Sequence, residues 1–155
     1  MSDSTNHDCH MCGLEDSDDA TVVFRDDLWS GQTVPGYDVP GWFVLRVRRH
    51  AERLTGLSDA ELETFGRRAR DLTAAVGEVT GAPATYLLAF GENHRHFHVL
   101  VIARTEDVPD DRRNGDILKL RSERSEPEEA ARLVPAVRSA YQRLAESGAQ
   151  VTVGG

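Results

Sequence analysis

Gly91-Glu92-Asn93-His94-Arg95-His96-Phe97-His98-Val99-Leu100-Val101-Ile102-Ala103-Arg104 is the stretch on which the fold turns. From 97 to 103 every residue is aromatic, aliphatic or histidine, with β-branched residues among them, the pattern of a buried strand. Side chains on a strand alternate faces, so positions 94, 96, 98 and 100 are expected to point the same way. Crowding imidazoles at 94, 96 and 98 on one face serves no packing purpose, which points to a metal-binding or catalytic row. Just upstream, Thr85 to Phe90 reads as another strand. The turn at Gly91 to Asn93 then makes the two an antiparallel hairpin.

Further upstream, Trp42-Phe43-Val44-Leu45-Arg46-Val47 is a convincing strand that runs into Arg48-Arg49-His50. Ser58 with Glu61 forms a capping box. Leu62, Phe65, Ala69, Leu72 and Val76 follow at 3/4 spacing, predicting an amphipathic helix to about Val76, before the break at Gly81-Ala82-Pro83. Thr21 to Phe24 is a short strand, followed by a loop rich in turn formers up to Pro40-Gly41. Downstream, Thr105 to Gly115 is a charged loop. Ser125 with Glu128 suggests a second capping box, with Pro127 in the first turn. Ala130, Leu133, Val137, Tyr141 and Leu144 then predict a second helix, kinked at Pro135. The sum is one α+β domain over residues 1–155, with an antiparallel sheet and two main helices. Residues 1–20 are polar and acidic and read as a loosely ordered arm, apart from whatever holds its cysteines.

The chain has 155 residues, with 18 Lys+Arg against 26 Asp+Glu and a net charge of -8. That balance argues against a protein that coats nucleic acid through basic patches. Apolar runs fall far short of the ~20 residues that cross a bilayer, and the N-terminus lacks a basic-then-apolar signal. The expectation is a soluble, cytoplasmic protein with no membrane or nucleic-acid partner. Both cysteines sit in Cys9-His10-Met11-Cys12. A disulfide there would close a tiny loop and constrain little. In a reducing compartment the spacing reads as metal-binding or redox-active, and a lone CxxC is half of a zinc site. Two further ligands must then come from His7, His10, His50, His94, His96 or His98.

Together these segments resemble the histidine triad (HIT) superfamily of nucleotide hydrolases and transferases, over roughly residues 9 to 104. The family's pattern is Gly, Gln, three residues, His-x-His-x-His, then an aliphatic-Pro-Arg ending. Matched without a gap, Gly91 and Glu92 take the first two positions, and His96 and His98 the first two histidines. Leu100 stands at the third histidine and Ala103-Arg104 at the ending. Gly41 to His50 is similar to the family's glycine, apolar strand, basic pair and histidine. Cys9 and Cys12 match the CxxC of many members. A register shifted by two, with His94, His96 and His98 as the triad, keeps the strand face but misaligns the glycine and the arginine.

The resemblance implies a HIT-like antiparallel sheet and a small phosphorylated or nucleotide-like substrate. It implies that His98 attacks phosphorus to form a covalent nucleotidyl-imidazole at a phosphoanhydride or phosphoramidate, with His96 and His94 completing the catalytic row. Glu92, Asn93 and Arg104 would meet the substrate. Cys9, Cys12, His50 and His96 would form a closed, structural zinc site that pins the arm to the sheet. A homodimer with a joined sheet is also implied. Leu100 cannot bond a phosphate or help a leaving group, and Glu92 puts negative charge where the family has a neutral amide. Two alternatives follow from those departures: a HIT-fold enzyme that uses the row for acid/base chemistry on another substrate, and a non-catalytic, zinc-stabilised nucleotide-binding module. An acidic chain with an anionic substrate must also gather positive groups locally. The candidates are the zinc, Arg48, Arg49, Arg104 and the histidines. The 105–129 segment and the helix after it lie outside the match, and either shape the pocket or pack on the partner subunit.

Overall fold

A computed structural model describes residues 9–151. His7 and the first part of the arm lie outside them. Five strands form one antiparallel sheet: β1 (Val22–Arg25), β2 (Trp29–Gln32), β3 (Trp42–Val47), β4 (Ala84–Leu88) and β5 (His98–Arg104). Their order is β1-β2-β3-β5-β4. The β4–β5 hairpin is present, but its connection runs from 89 to 97 rather than closing tightly at Gly91 to Asn93.

Strand β2 corrects the expected loop between Phe24 and Pro40. Trp29-Ser30-Gly31-Gln32 mixes one aromatic with polar and small residues, so no alternation marks it. Tertiary packing makes it a strand. Trp29 is fully buried, and Gly31 leaves room for the Phe24 ring, which would lie 2.5 Å from an added Cβ. The Asp26 carboxylate accepts from the Leu28 and Trp29 N–H groups at 2.9 and 2.8 Å and turns β1 into β2.

Of the two long helices, α2 spans Asp59–Thr80. Its capping box forms as expected: Glu61 N–H donates to Ser58 Oγ (3.2 Å), and Ser58 N–H donates to Glu61 Oε1 (2.7 Å). The helix runs one turn past Val76, because the apolar stripe ends before the backbone does. It stops at Gly81, whose φ of 68° few other residues adopt. Leu62, expected on the buried stripe, is exposed. Helix α4 (Pro127–Val151) opens on Pro127, one residue later than the Ser125 box predicts, and continues through Pro135.

Both long helices cover one face of the sheet. There Phe43, Leu45, Val47 and Val101 meet Leu72, Val76, Val134 and Val137. The opposite face is closed by the N-terminal arm and the 105–124 segment. These carry the short helices α1 (His10–Gly13) and α3 (Leu120–Glu123). Met11, Leu14, Ile117 and Leu120 are buried there against Val44, Leu100 and Ile102. From residue 9 onward the arm is therefore packed structure, not the loose tether expected of 1–20. Its apolar residues are too few to give a periodic signal.

Candidate functional site

The two cysteines come from the turn of α1, His50 from the residues after β3, and His96 from the β4–β5 connection. Met11, one of the two residues between the cysteines, is buried under the sheet, so the turn presents both sulfurs inward. Cys9 Sγ lies 3.5 Å from His96 Nδ1. Cys12 Sγ lies 3.4 Å from the same nitrogen and 3.2 Å from His50 Nδ1. All four ligand atoms fall within 4.8 Å of one another, and no disulfide joins the cysteines. Tetrahedral coordination with ordinary metal–sulfur and metal–nitrogen bonds puts sulfur and nitrogen about 3.5 Å apart.

The outer nitrogens support the same reading. His96 Nε2 is 2.5 Å from the Val47 carbonyl, which can only accept, so this nitrogen carries the proton and Nδ1 keeps its lone pair. His50 Nε2 stands 3.7 Å from the Glu52 carboxylate. Metal-binding imidazoles characteristically donate their second N–H to a carbonyl or carboxylate, as His96 does to Val47. Burial, aided by the charges of Arg46, His50 and His98, pushes His96 down to about 4 despite the Val47 bond. It is a neutral ligand at pH 7. The donor set fits a metal ion.

Strand β5 begins only at His98, so regular alternation does not reach back to His94 and His96. His96 turns to the cysteines, whereas His94 and His98 line a cleft of about 340 Å³. His98 Nδ1 lies 2.6 Å from the His96 carbonyl. That bond fixes Nδ1 as the protonated nitrogen and leaves the lone pair on Nε2. His98 is pushed below its usual pKa by burial first, with the His94 and His10 charges adding to the effect. His94 is lowered too, by burial and then by His10 and Arg121. Its ring sits 5.2 Å from that of His10 and 6.3 Å from that of His98.

Glu92 and Asn93 edge the same cleft, and Leu100 forms part of its wall. Arg104 does not join them. It ends β5, six residues beyond His98 and roughly 20 Å along the strand. The basic pair is also committed elsewhere. Arg48 bonds Glu15 and the Asp26 carbonyl, and Arg49 bonds Glu61 and the Gly56 carbonyl. So the expected gathering of Arg48, Arg49 and Arg104 around the substrate does not occur. Sequence reasoning missed Tyr37 and Leu118, which complete the wall, and Arg121, whose guanidinium lies 3.9 Å over the Tyr37 ring. Tyr37 lies in a loop and Leu118 and Arg121 in short helical turns, and their sequence carries no periodic or motif signal.

No protein-family model and no curated protein sequence matches the chain. Solved structures do. A hypothetical histidine triad nucleotide-binding protein from Sulfolobus tokodaii is similar at a TM-score of 0.67 and 19% identity, covering 88% of this chain and 93% of that one. A zinc-bound histidine triad family protein from Mycobacterium smegmatis gives 0.63 and 19%, covering 90% and 96%. The diadenosine triphosphate hydrolase of Plasmodium falciparum gives 0.62 and 12%, covering 82% and 80%. The chain has the histidine triad fold.

Proposed function

We propose that the chain is a histidine triad nucleotide hydrolase or nucleotidyltransferase, working at a phosphoanhydride or phosphoramidate through His98. The observation that carries this reading is the bond from His98 Nδ1 to the His96 carbonyl. It leaves Nε2 as the nucleophile, and burial keeps the ring neutral. In the first step Nε2 bonds to phosphorus, and the bond to the leaving group breaks with its electron pair going to that group. The carbonyl on Nδ1–H stabilises the positive charge that the ring acquires. In the second step a water oxygen bonds to phosphorus, the phosphorus–nitrogen pair returns to Nε2, and the water proton passes to solvent. A second phosphorylated substrate replaces water in the transferase mode. His94 and Asn93, which line the cleft, would donate to phosphoryl oxygens. Leu100 offers no proton to the leaving group, which favours groups that depart as stable anions.

Cys9, Cys12, His50 and His96 would hold zinc, the ion that best suits two thiolates and two imidazoles. With no open position it is structural, holding the arm against the hairpin. A homodimer is proposed through β4, an edge strand that carries exposed Leu87 and is followed by exposed Phe90. The working unit is a single domain over residues 1–155, in the cytoplasm, where thiols stay reduced.

The test is turnover of dinucleoside polyphosphates, adenosine phosphoramidate and nucleotide sugars by wild type and His98→Ala. We expect at least one substrate to be consumed and the variant to lose that activity by 10³-fold or more, a scale typical of losing a nucleophile. Full turnover by the variant overturns the reading. The apolar Leu100 favours one second reading, a nucleotide-binding module without catalysis. Nucleotide-dependent thermal stabilisation with no turnover by wild type would establish it instead.

A further inference from the structure

A second cluster of charge lies beside the cleft, unused by the proposed reaction. The sheet register places Arg25 of β1 opposite Ser30 of β2, Ser30 opposite Arg46 of β3, and Arg46 opposite His98 of β5. Residues directly opposite on adjacent strands share a face, so Arg25 and Arg46 stand on the side the arm covers. Arg46 is completely buried. Its Nη2 donates to Glu15 of the arm, and Arg48 Nε donates to the other oxygen of the same carboxylate at 3.1 Å.

Among the described residues, no other carboxylate reaches Arg46 and none pairs with Arg25. Asp26, the acid next to Arg25 in sequence, is taken: it accepts from Leu28, Trp29 and Arg68. Ser30 is also committed, donating to Gln32 Oε1 at 3.1 Å. Nε and Nη1 of Arg46, and Nε and Nη2 of Arg25, are buried without a protein partner. Arg46 and Arg48 thus share one carboxylate, and Arg25 has none. A guanidinium does not escape burial by losing its proton, so the surplus positive charge needs a counter-charge.

We propose that Arg25 and Arg46 bracket a small inorganic anion of halide size, held over Ser30 beneath the arm. The strands that carry them are two apart, roughly 10 Å, which two extended arginine side chains span from either side. Nε–H and Nη2–H of Arg25 lie on one edge of its guanidinium, the fork that takes an anion through two parallel bonds. The ion would neutralise the row next to His98 and fasten the arm from below, whatever reaction the cleft performs.

Crystals of the metal-loaded protein grown in bromide test this directly. An anomalous peak between Arg25 and Arg46 is expected; water on those nitrogens, or bromide only at the surface, overturns the proposal. In solution, chloride titrated against gluconate at constant ionic strength should raise the melting temperature to a plateau. Arg25→Met keeps the Glu15–Arg46 pair and should raise the half-saturating chloride concentration at least tenfold. An unchanged titration in that variant also overturns it.

Discussion

The two faces of the sheet are closed by opposite means. On one, long helices bury aliphatic and aromatic side chains at helical spacing, with Leu72, Val76, Val134 and Val137 all fully buried. On the other, a short arm is held by a Cys/Cys/His/His cluster, a carboxylate shared by two arginines, and a few buried side chains such as Met11 and Leu14. The first closure depends on apolar area, which is indifferent to pH and metal. The second depends on ligands and charges, and so on conditions. Each face carries its own reporter, because the chain's two tryptophans divide between them: Trp29 packs in the helical core and Trp42 on the opposite face, beside Val108 and Leu120 of the 105–124 segment.

Removing the metal should break the comparison most sharply. Structural zinc binds with roughly 10–16 kcal/mol in small zinc domains, so Cys12→Ser or a strong chelator should cost the arm face about 5 kcal/mol or more. We expect metal analysis to fall to zero and Trp42 fluorescence to shift red in a Trp29→Phe background. Helical circular dichroism should survive. Loss of the helical signal together with the Trp42 change would mean that the faces are one cooperative unit.

The converse substitution is Leu72→Ala, which empties a fully buried site on the helical face. Denaturant unfolding should show a loss of about 3 kcal/mol, with bound metal unchanged. Acid offers a graded version. Burial would raise the Glu15 carboxyl, but bonds to Arg46 and Arg48 outweigh it and hold Glu15 below its usual value. Its contribution is therefore complete above the ordinary carboxylate pKa and is lost as pH falls through the lower folded value. Thiolates and imidazoles that bind metal also take up protons in acid. Trp42 should then respond at a higher pH than Trp29 as the solution is acidified; coincident transitions would erase the distinction. The smallest effect is Ser58→Ala, which removes one half of a capping box on the helical face. It should cost about 1 kcal/mol in urea and leave both the metal and the acid response of Trp42 alone.

The same division explains what the sequence disclosed. Helix α2 was legible through Ser58, Glu61 and its 3/4 spacing, and β3 and β5 through their largely apolar runs. The metal cluster was legible because Cys9, Cys12, His50 and His96 match spaced motifs that the fold then brings together. Strand β2 was not, since Gly31 and Gln32 fit a loop equally well until Phe24 and Trp29 pack around them. Nor was the far end of β5: counting along a motif gives Arg104 a place in line, whereas the strand's length carries it away from the cleft. Tyr37 comes to the cleft from a loop and Arg121 stacks on its ring from α3, positions that no motif spacing marks.

His96 joins the two stories in one residue: its side chain enters the cysteine cluster, while its carbonyl accepts from His98. The consequence is one of time. On the proposed reading, stripping the metal removes one hold on the peptide unit that fixes the reactive tautomer, the other being the Phe97 N–H bond to the Ala51 carbonyl, so turnover should fade as metal leaves. On that reading, the working lifetime of the protein outside a reducing, metal-replete compartment tracks the residence time of one ion.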